Sequence, residues 1–406
     1  MCYDSTMYFD PYSLEFQQNP YPTYAWLRDA APLLWDESTR LWYVSRYEDV
    51  SALLRDRRLG RSIEHIQPSP PVPEHLAPFQ RLSTYSLFDK EPPDHTRLRG
   101  LVSAVFTPKR VEALRPRIET GASSLLVAAL EKGEFDLLED VAVPLPVMVI
   151  ADLLGIPEAD RPRLRPWSAM IVAMYELRHT PEQEELAVQA AVELWDYLKW
   201  LADQRRRSPQ DDLISALAIV SDSESGAKLS EEELIATCIL LLNAGHEATV
   251  NGFGNGLYTL FRNPQQLARL QADPSIDLVR TAVEEMLRYD SPLQLFKRWV
   301  LQDMDYKGVQ FRAGQQIALF FGSANRDPRK FANPDLMDIT RLENAHISFG
   351  AGIHFCLGAP LARLELNVAL KALLQGAPRL ELVEEPVWKD SYVIRGLREL
   401  KVKAGS

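Results

Sequence analysis

Residues 349–363 read Phe-Gly-Ala-Gly-Ile-His-Phe-Cys-Leu-Gly-Ala-Pro-Leu-Ala-Arg, and a cysteine in that setting can do metal chemistry. Cys356 stands just before a segment that Pro360 helps to start as a helix and that Gly376 ends. A thiol at a helix N-terminus faces backbone N–H groups and the positive end of the dipole, both of which favour the thiolate, the form that binds metals. Gly350, Gly352 and Gly358 supply backbone freedom and keep side chains away from the sulfur, and Phe349 and Phe355 would keep the site dry. A lone cysteine is usually a small buried hydrophobe. A cysteine among three glycines, a histidine and a helix start is a ligand candidate.

A second group of chemically able residues lies on the longest predicted helix. Ser230 followed by Glu233 forms a capping box, and helical residues run from there to about Arg262, before Asn263-Pro264 stops them. That helix is apolar enough for a core, yet it carries Gly245, Gly252, Gly254 and Gly256, each costing about 1 kcal/mol relative to Ala. It also places Glu247 after an almost wholly apolar stretch, where an unpaired carboxylate is expensive. Two readings stay open: a loosely packed helix with a solvated Glu247, or a helix whose backbone at Ala244-Gly245 meets something flat and bulky while Glu247 serves chemistry. His246 reads as a packing residue.

The segment 349–358 matches, at every fixed position, F-G-x-G-x-[HR]-x-C-x-G, and by it the chain resembles the cytochrome P-450 family. Three further matches follow that family's order and spacing: Glu285-Met-Leu-Arg288, Ala244-Gly245-His246-Glu247, and Phe331-Ala-Asn-Pro334 with Arg341. E-x-x-R alone is weak, because ion pairs at (i, i+3) decorate many helices. The likeness extends from about Tyr21 to the C-terminus.

The resemblance implies a haem-thiolate monooxygenase that inserts one oxygen atom of dioxygen into a small or medium hydrophobic substrate, by hydroxylation or demethylation. It implies a triangular, mainly helical fold with a small antiparallel β region, enclosing haem b. Cys356 would ligate the iron, and thiolate donation favours O–O cleavage. Ala244, Gly245, Phe349, Gly350 and Gly358 would line the haem. His95 and Arg99, Arg298 and His354 would hold its propionates, with Lys297 a competitor for Arg298 and a solvated helix face the alternative for His95 and Arg99. Glu285 and Arg288 would form a buried structural pair. The substrate pocket would be lined by residues 62–87, 240–244, 291–296 and 392–394. Electrons would come from NAD(P)H through a separate ferredoxin or flavodoxin with its reductase, docking where Lys109, Arg110, Arg115 and Arg117 could form a basic patch.

One departure from the family's pattern bears on mechanism. Its usual threonine follows the acid directly, but here that position is Ala248 and the hydroxyl comes at Thr249, about 100° further round a helix. Proton delivery would then rest on Glu247 with Thr249, on water, or on a substrate hydroxyl. Two rivals are a peroxide-driven peroxygenase on the same fold and a Cys/His hydrolase using Cys356 and His354. The first tends to carry Arg-Pro where this chain has Gly-His-Glu. The second suffers because side chains two residues apart rarely converge and no orienting acid is evident.

The elements that must position these residues read as one large, mainly helical domain over residues 1–406. Residues 32–47 alternate as a hairpin and residues 49–58 read as a short helix. Residues 93–104 form a helix carrying His95 and Arg99 on one face, and residues 111–201 are helix after helix. A β region falls at about 297–319, and helix returns after Pro360. Five prolines in residues 67–78 mark a long surface loop. The 406 residues are 46% hydrophobic and 25% charged, an ordinary globular composition. A net charge of −11 argues against a duplex-binding footprint. No secretory signal and no apolar run of membrane-spanning length is present. Cys2, Cys238 and Cys356 are too few and too scattered for a disulfide framework. The expectation is a cytoplasmic monomer.

Overall fold

The structure, a computed structural model, describes residues 9–67, 71–220 and 226–405. Cys2 and part of the proline-rich segment, residues 68–70, lie outside the described residues.

Helices form the bulk of the fold. The longest, Glu231–Arg262, has 32 residues and starts at the expected capping box, with Ser230 and Glu233 each bonding the other's backbone N–H. It runs through the core against Pro144–Leu154, Pro181–Arg207 and Ile276–Tyr289. Most of its glycines are explained by that packing. A Cβ on Gly256 would sit 2.2 Å from Met286, and one on Gly254 2.7 Å from Leu138, so only glycine lets the neighbours approach.

Ten short strands, β1 (Leu33–Asp36), β2 (Leu41–Val44), β3 (Leu59–Gly60), β4 (Glu134–Asp136), β5 (Leu295–Val300), β6 (Met304–Tyr306), β7 (Val309–Phe311), β8 (Gln316–Phe320), β9 (Leu380–Leu382) and β10 (Lys401–Ala404), make up the sheets. The expected hairpin is β1–β2, antiparallel with Leu33 opposite Val44. The antiparallel region expected at about 297–319 is there, with β5 antiparallel to β8 and β6 to β7. The main sheet, ordered β1-β2-β8-β5-β3, joins it to the hairpin by one parallel pair that was not anticipated: β2 runs parallel to β8, with Leu41 opposite Gln316. Alternation along a strand shows which residues face in, not the direction of its partner. The stretch 111–201 is also interrupted by β4, which pairs with β10 at Asp136–Lys401.

The short helix expected at residues 49–58 is Tyr47–Leu53. Its early start has a tertiary cause. The Asp327 carboxylate accepts the Tyr47 N–H at 2.9 Å, capping the helix from 280 residues away. The helices Asp94–Val105 and Ala359–Gly376 fall where expected.

Candidate active site around Cys356

The ligand loop is held from both ends. Upstream, Glu285 and Arg288 on the helix Ile276–Tyr289 are both fully buried and paired at 2.7 Å. Arg288 also donates to the Asn325 and Pro334 carbonyls, and Arg341 donates to Glu285 at 3.1 Å, so the segment 325–341 is pinned to that helix. Next to this pair sits Glu284, which sequence reasoning passed over. Burial opposes its ionisation, but His346 and Arg363 overcome that and hold the carboxyl at about 2. Since Arg363 lies on the helix that follows Cys356, Glu284 ties the ligand loop downstream as well.

Within the loop, Gly350 and Gly352 take positive φ of 70° and 74°. A Cβ on Gly352 would also meet the Leu54 carbonyl at 2.4 Å. A Cβ on Gly358 would stand 3.9 Å from the Cys356 sulfur. The backbone N–H of Cys356 donates to the Phe349 carbonyl at 3.0 Å. Phe349 covers the site under the Arg363 guanidinium, 4.4 Å from its ring centre. Phe355 is a weaker cover: it lines the cavity but is 41% exposed.

The electrostatics of the thiol differ from the sequence expectation. Burial pushes the Cys356 thiol up, and the N–H groups of Gly358 and Ala359 with Arg99 offset only part of that. A helix N-terminus alone therefore does not ionise this sulfur; a cation bound against it would.

Cys356 opens onto a cavity of about 440 Å³. Arg99, Ala244, Gly245, Glu247, Thr249, Arg298, Phe349, Gly350, His354 and Gly358 all line it. His95 lies just behind, its ring 4.4 Å from that of His354. His354 turns to Glu91 at 3.5 Å, away from any role as a base for Cys356. Thr249 reaches the cavity despite its displaced position, as does Ala248, and its hydroxyl donates to the Gly245 carbonyl at 3.4 Å. His246 is a packing residue, 2% exposed with Nδ1 at 3.1 Å from the Leu242 carbonyl.

The donor set fits a haem. Among the described residues no carboxylate pairs with Arg99, Lys297 or Arg298, though all three line the cavity. Burial, with Arg61 adding repulsion, pulls the Arg298 guanidinium down to about 9, the mark of a buried cation without its anion. His95 is pushed down to about 4 by burial, then by His354 and Arg99, and its Nε2 is buried without a hydrogen-bond partner. Two carboxylates entering here would supply what the cluster lacks. This gives a test with opposite signs. Arg298→Met should raise the melting temperature of the haem-free protein, since it deletes an unpaired buried cation, yet speed haem loss by about ten- to a hundred-fold. Haem transfer to an acceptor protein, followed by absorbance, measures the second; equal rates would remove Arg298 from the haem site.

Glu247 has a cationic partner that the sequence did not reveal. Burial pushes its carboxyl up, but Lys389, His246 and Arg165 outweigh that and hold it below the usual carboxylate range. Lys389, 142 residues away and one-third exposed, donates to both Glu247 and Asn251 at 3.1 Å.

The remaining lining is mostly apolar. Leu87, Leu240, Leu241, Leu293, Phe296 and Ile394 come from the expected segments. Val172, Met174, Tyr175 and Glu176 were not anticipated. Glu176 accepts the N–H groups of Tyr392, Val393 and Ile394 at 3.0–3.2 Å, clamping two walls of the cavity together. Arg61 was also missed: it is stacked 4.4 Å from both Phe88 and Phe296, and paired with Asp89 at 3.0 Å. The expected basic patch is largely neutralised, with Arg110 facing Asp211, Arg115 facing Glu112 and Arg117 facing Asp152.

Comparison with known proteins bears on this geometry. The family model for cytochrome P450 matches residues 30–376. The chain is 40% identical to the polyketide biosynthesis cytochrome P450 PksS of Bacillus subtilis (strain 168), over 97% of this chain and 98% of that one. It is 39% identical to the 6-deoxyerythronolide B hydroxylase of Saccharopolyspora erythraea, over 96% of each. Among solved structures, P450BioI in complex with an acyl carrier protein ligated to hexadec-9Z-enoic acid superposes with a TM-score of 0.90 at 39% identity, covering 96% of this chain and 99% of that one.

Proposed function

Because this chain belongs to the cytochrome P450 family and is a monooxygenase of small molecules, we propose that it hydroxylates or demethylates an uncharged hydrophobic substrate held in the cavity beside Cys356. The apolar lining, with Leu87, Val172, Leu240, Leu241, Leu293 and Val393 facing one space, is the observation that carries this reading. We assign Cys356 as the iron ligand and His95, Arg99, Arg298 and His354 as the holders of the propionates, with Ala244, Gly245, Phe349, Gly350 and Gly358 against the ring. When bound, the haem supplies dioxygen activation, assisted by thiolate donation. Everything else falls to the chain's own side chains: excluding water, orienting the substrate and moving protons.

Proton movement is assigned to Glu247. A carboxylate held ionised by Lys389 is a poor reservoir but a good relay, since it can take a proton from solvent at Lys389 and turn it into the cavity. Glu247→Gln is expected to slow turnover by about ten- to a thousand-fold, in line with one lost general acid. Lys389→Met should leave burial as the main influence on Glu247, so the acidic limb of the pH–rate profile should move to higher pH. An unmoved limb would show that Glu247 does not carry the proton.

Thr249 and Ala248 share the cavity wall, so the alcohol that the family usually places directly after the acid is displaced rather than lost. Thr249→Ala should divert electrons from product to hydrogen peroxide, and Ala248→Thr should raise the fraction reaching product. Product formed per NAD(P)H oxidised, with peroxide titrated, reads both. Unchanged coupling in both variants would leave water or a substrate hydroxyl as the donor.

Members of this family receive electrons from redox partners. For this chain we propose a ferredoxin or flavodoxin with its reductase, drawing on NAD(P)H, docked on the face around the helix Pro108–Ala113, which packs on the helix after Cys356. We further read the chain as one domain, monomeric and cytoplasmic. Among the described residues, no helix is long and apolar enough to cross a membrane.

A further inference from the structure

The central helix carries one polar side chain that lines the cavity while its amide oxygen has no hydrogen-bond partner in the protein. Asn243 is 3% exposed, its Oδ1 has no hydrogen-bond partner, and it faces the cavity. Its sequence neighbours Leu240, Leu241, Leu242 and Ala244 are apolar, so a leucine at 243 would suit the helix better. The other asparagines of this helix lie outside the cavity lining, and each spends one amide atom on a distant partner. Asn251 accepts from Lys389, and Asn255 donates to the Arg395 carbonyl. Thr249, Thr259 and His246 bond back to the carbonyl four residues earlier, an outlet Asn243 does not take. A buried amide oxygen left unpaired in an apolar cavity is unfavourable unless a ligand supplies the donor.

We propose that Asn243 is a specificity-determining residue that accepts a hydrogen bond from a hydroxyl or N–H group on the substrate. The proposal rests on the haem-thiolate reading of this cavity and narrows its substrate class to apolar molecules bearing at least one such donor. Asn243 and Glu247 are four residues apart, so they stand on one helix face about 5–6 Å from each other. A group anchored at Asn243 is thus held within a turn of the proton-handling carboxylate. A site built to bond a polar group rejects the analogue lacking it, because its own buried partner is left unpaired.

The probes are 4-phenylimidazole, whose ring nitrogen anchors to haem iron, and its 2-, 3- and 4-hydroxyphenyl counterparts, titrated by absorbance into the haem-loaded protein. At least one hydroxylated isomer should bind about ten-fold more tightly than the parent, a difference of about 1.4 kcal/mol. Asn243→Leu should erase that preference while binding the parent at least as well, with no loss of melting temperature. The proposal is overturned if no isomer outbinds the parent in the wild type, a comparison that stands even if the variant does not fold. It is overturned equally if the preference survives in Asn243→Leu. A wild-type protein that binds no azole at all refutes the haem reading itself, and the Asn243 assignment with it.

Discussion

Glu285→Ala and Arg288→Ala are each expected to give mostly insoluble or haem-free protein. Both side chains are fully buried: without Glu285 the Arg288 guanidinium keeps only carbonyl partners, and without Arg288 the Glu285 carboxylate keeps Arg341 as its one cation. Breaking such a pair costs about 3–5 kcal/mol, a large share of the roughly 5–15 kcal/mol that keeps a domain folded. Here the damage spreads, because Glu285 also accepts from Arg341, Asn344 and the Asp338 N–H, and Arg288 holds the Asn325 and Pro334 carbonyls. The chain between them leads straight into the ligand loop. Soluble yield, haem content per protein and melting temperature check this. Normal values in both variants would mean that the network does not support the site.

Cys356→Ser is expected to lower turnover by about a thousand-fold or more while sparing the fold. The hydroxyl is nearly isosteric and the loop is fixed by other contacts, through the Phe349 carbonyl, the two positive-φ glycines and the Glu284 ion pairs. What changes is the donor: an alcohol is a weak iron ligand and cannot supply the electron push of a thiolate. A serine variant that keeps wild-type turnover and the thiolate-type carbon monoxide band would show that another residue ligates the iron.

These two effects concern the parts of the protein that were most readable from the sequence, and for one reason: each is written in local residue types at fixed spacing. Cys356 with its glycines, and Glu285 three residues before Arg288, need no distant partner to be noticed. The capping box at Ser230 and the stop at Asn263-Pro264 are equally local, and the central helix lies where they put it. What stayed hidden depends on partners far along the chain. Lys389 reaches Glu247 across 142 residues, and Glu176 reaches the 392–394 backbone across 216 or more. Nothing near Glu247 announced an ion pair, so its apolar surroundings left only a solvated or a chemical role to choose from. The parallel pairing of β2 with β8 and the capping of Tyr47 by Asp327 have the same origin. Thr249 was kept as a candidate although an ideal helix turns it about 100° from residue 248, and the cavity is wide enough for Ala248 and Thr249 both to line it. Phe355 was judged too closed, because an aromatic beside a reactive sulfur is easily read as a seal, whereas this one lines the cavity with 41% of it exposed.

The central claim is that Cys356 ligates a haem iron as thiolate. The most direct measurement is the absorbance spectrum of the purified wild-type protein, reduced with dithionite under carbon monoxide. Thiolate ligation predicts a Soret band at about 450 nm. A colourless protein, or a haem band that fails to move to that wavelength, would contradict it.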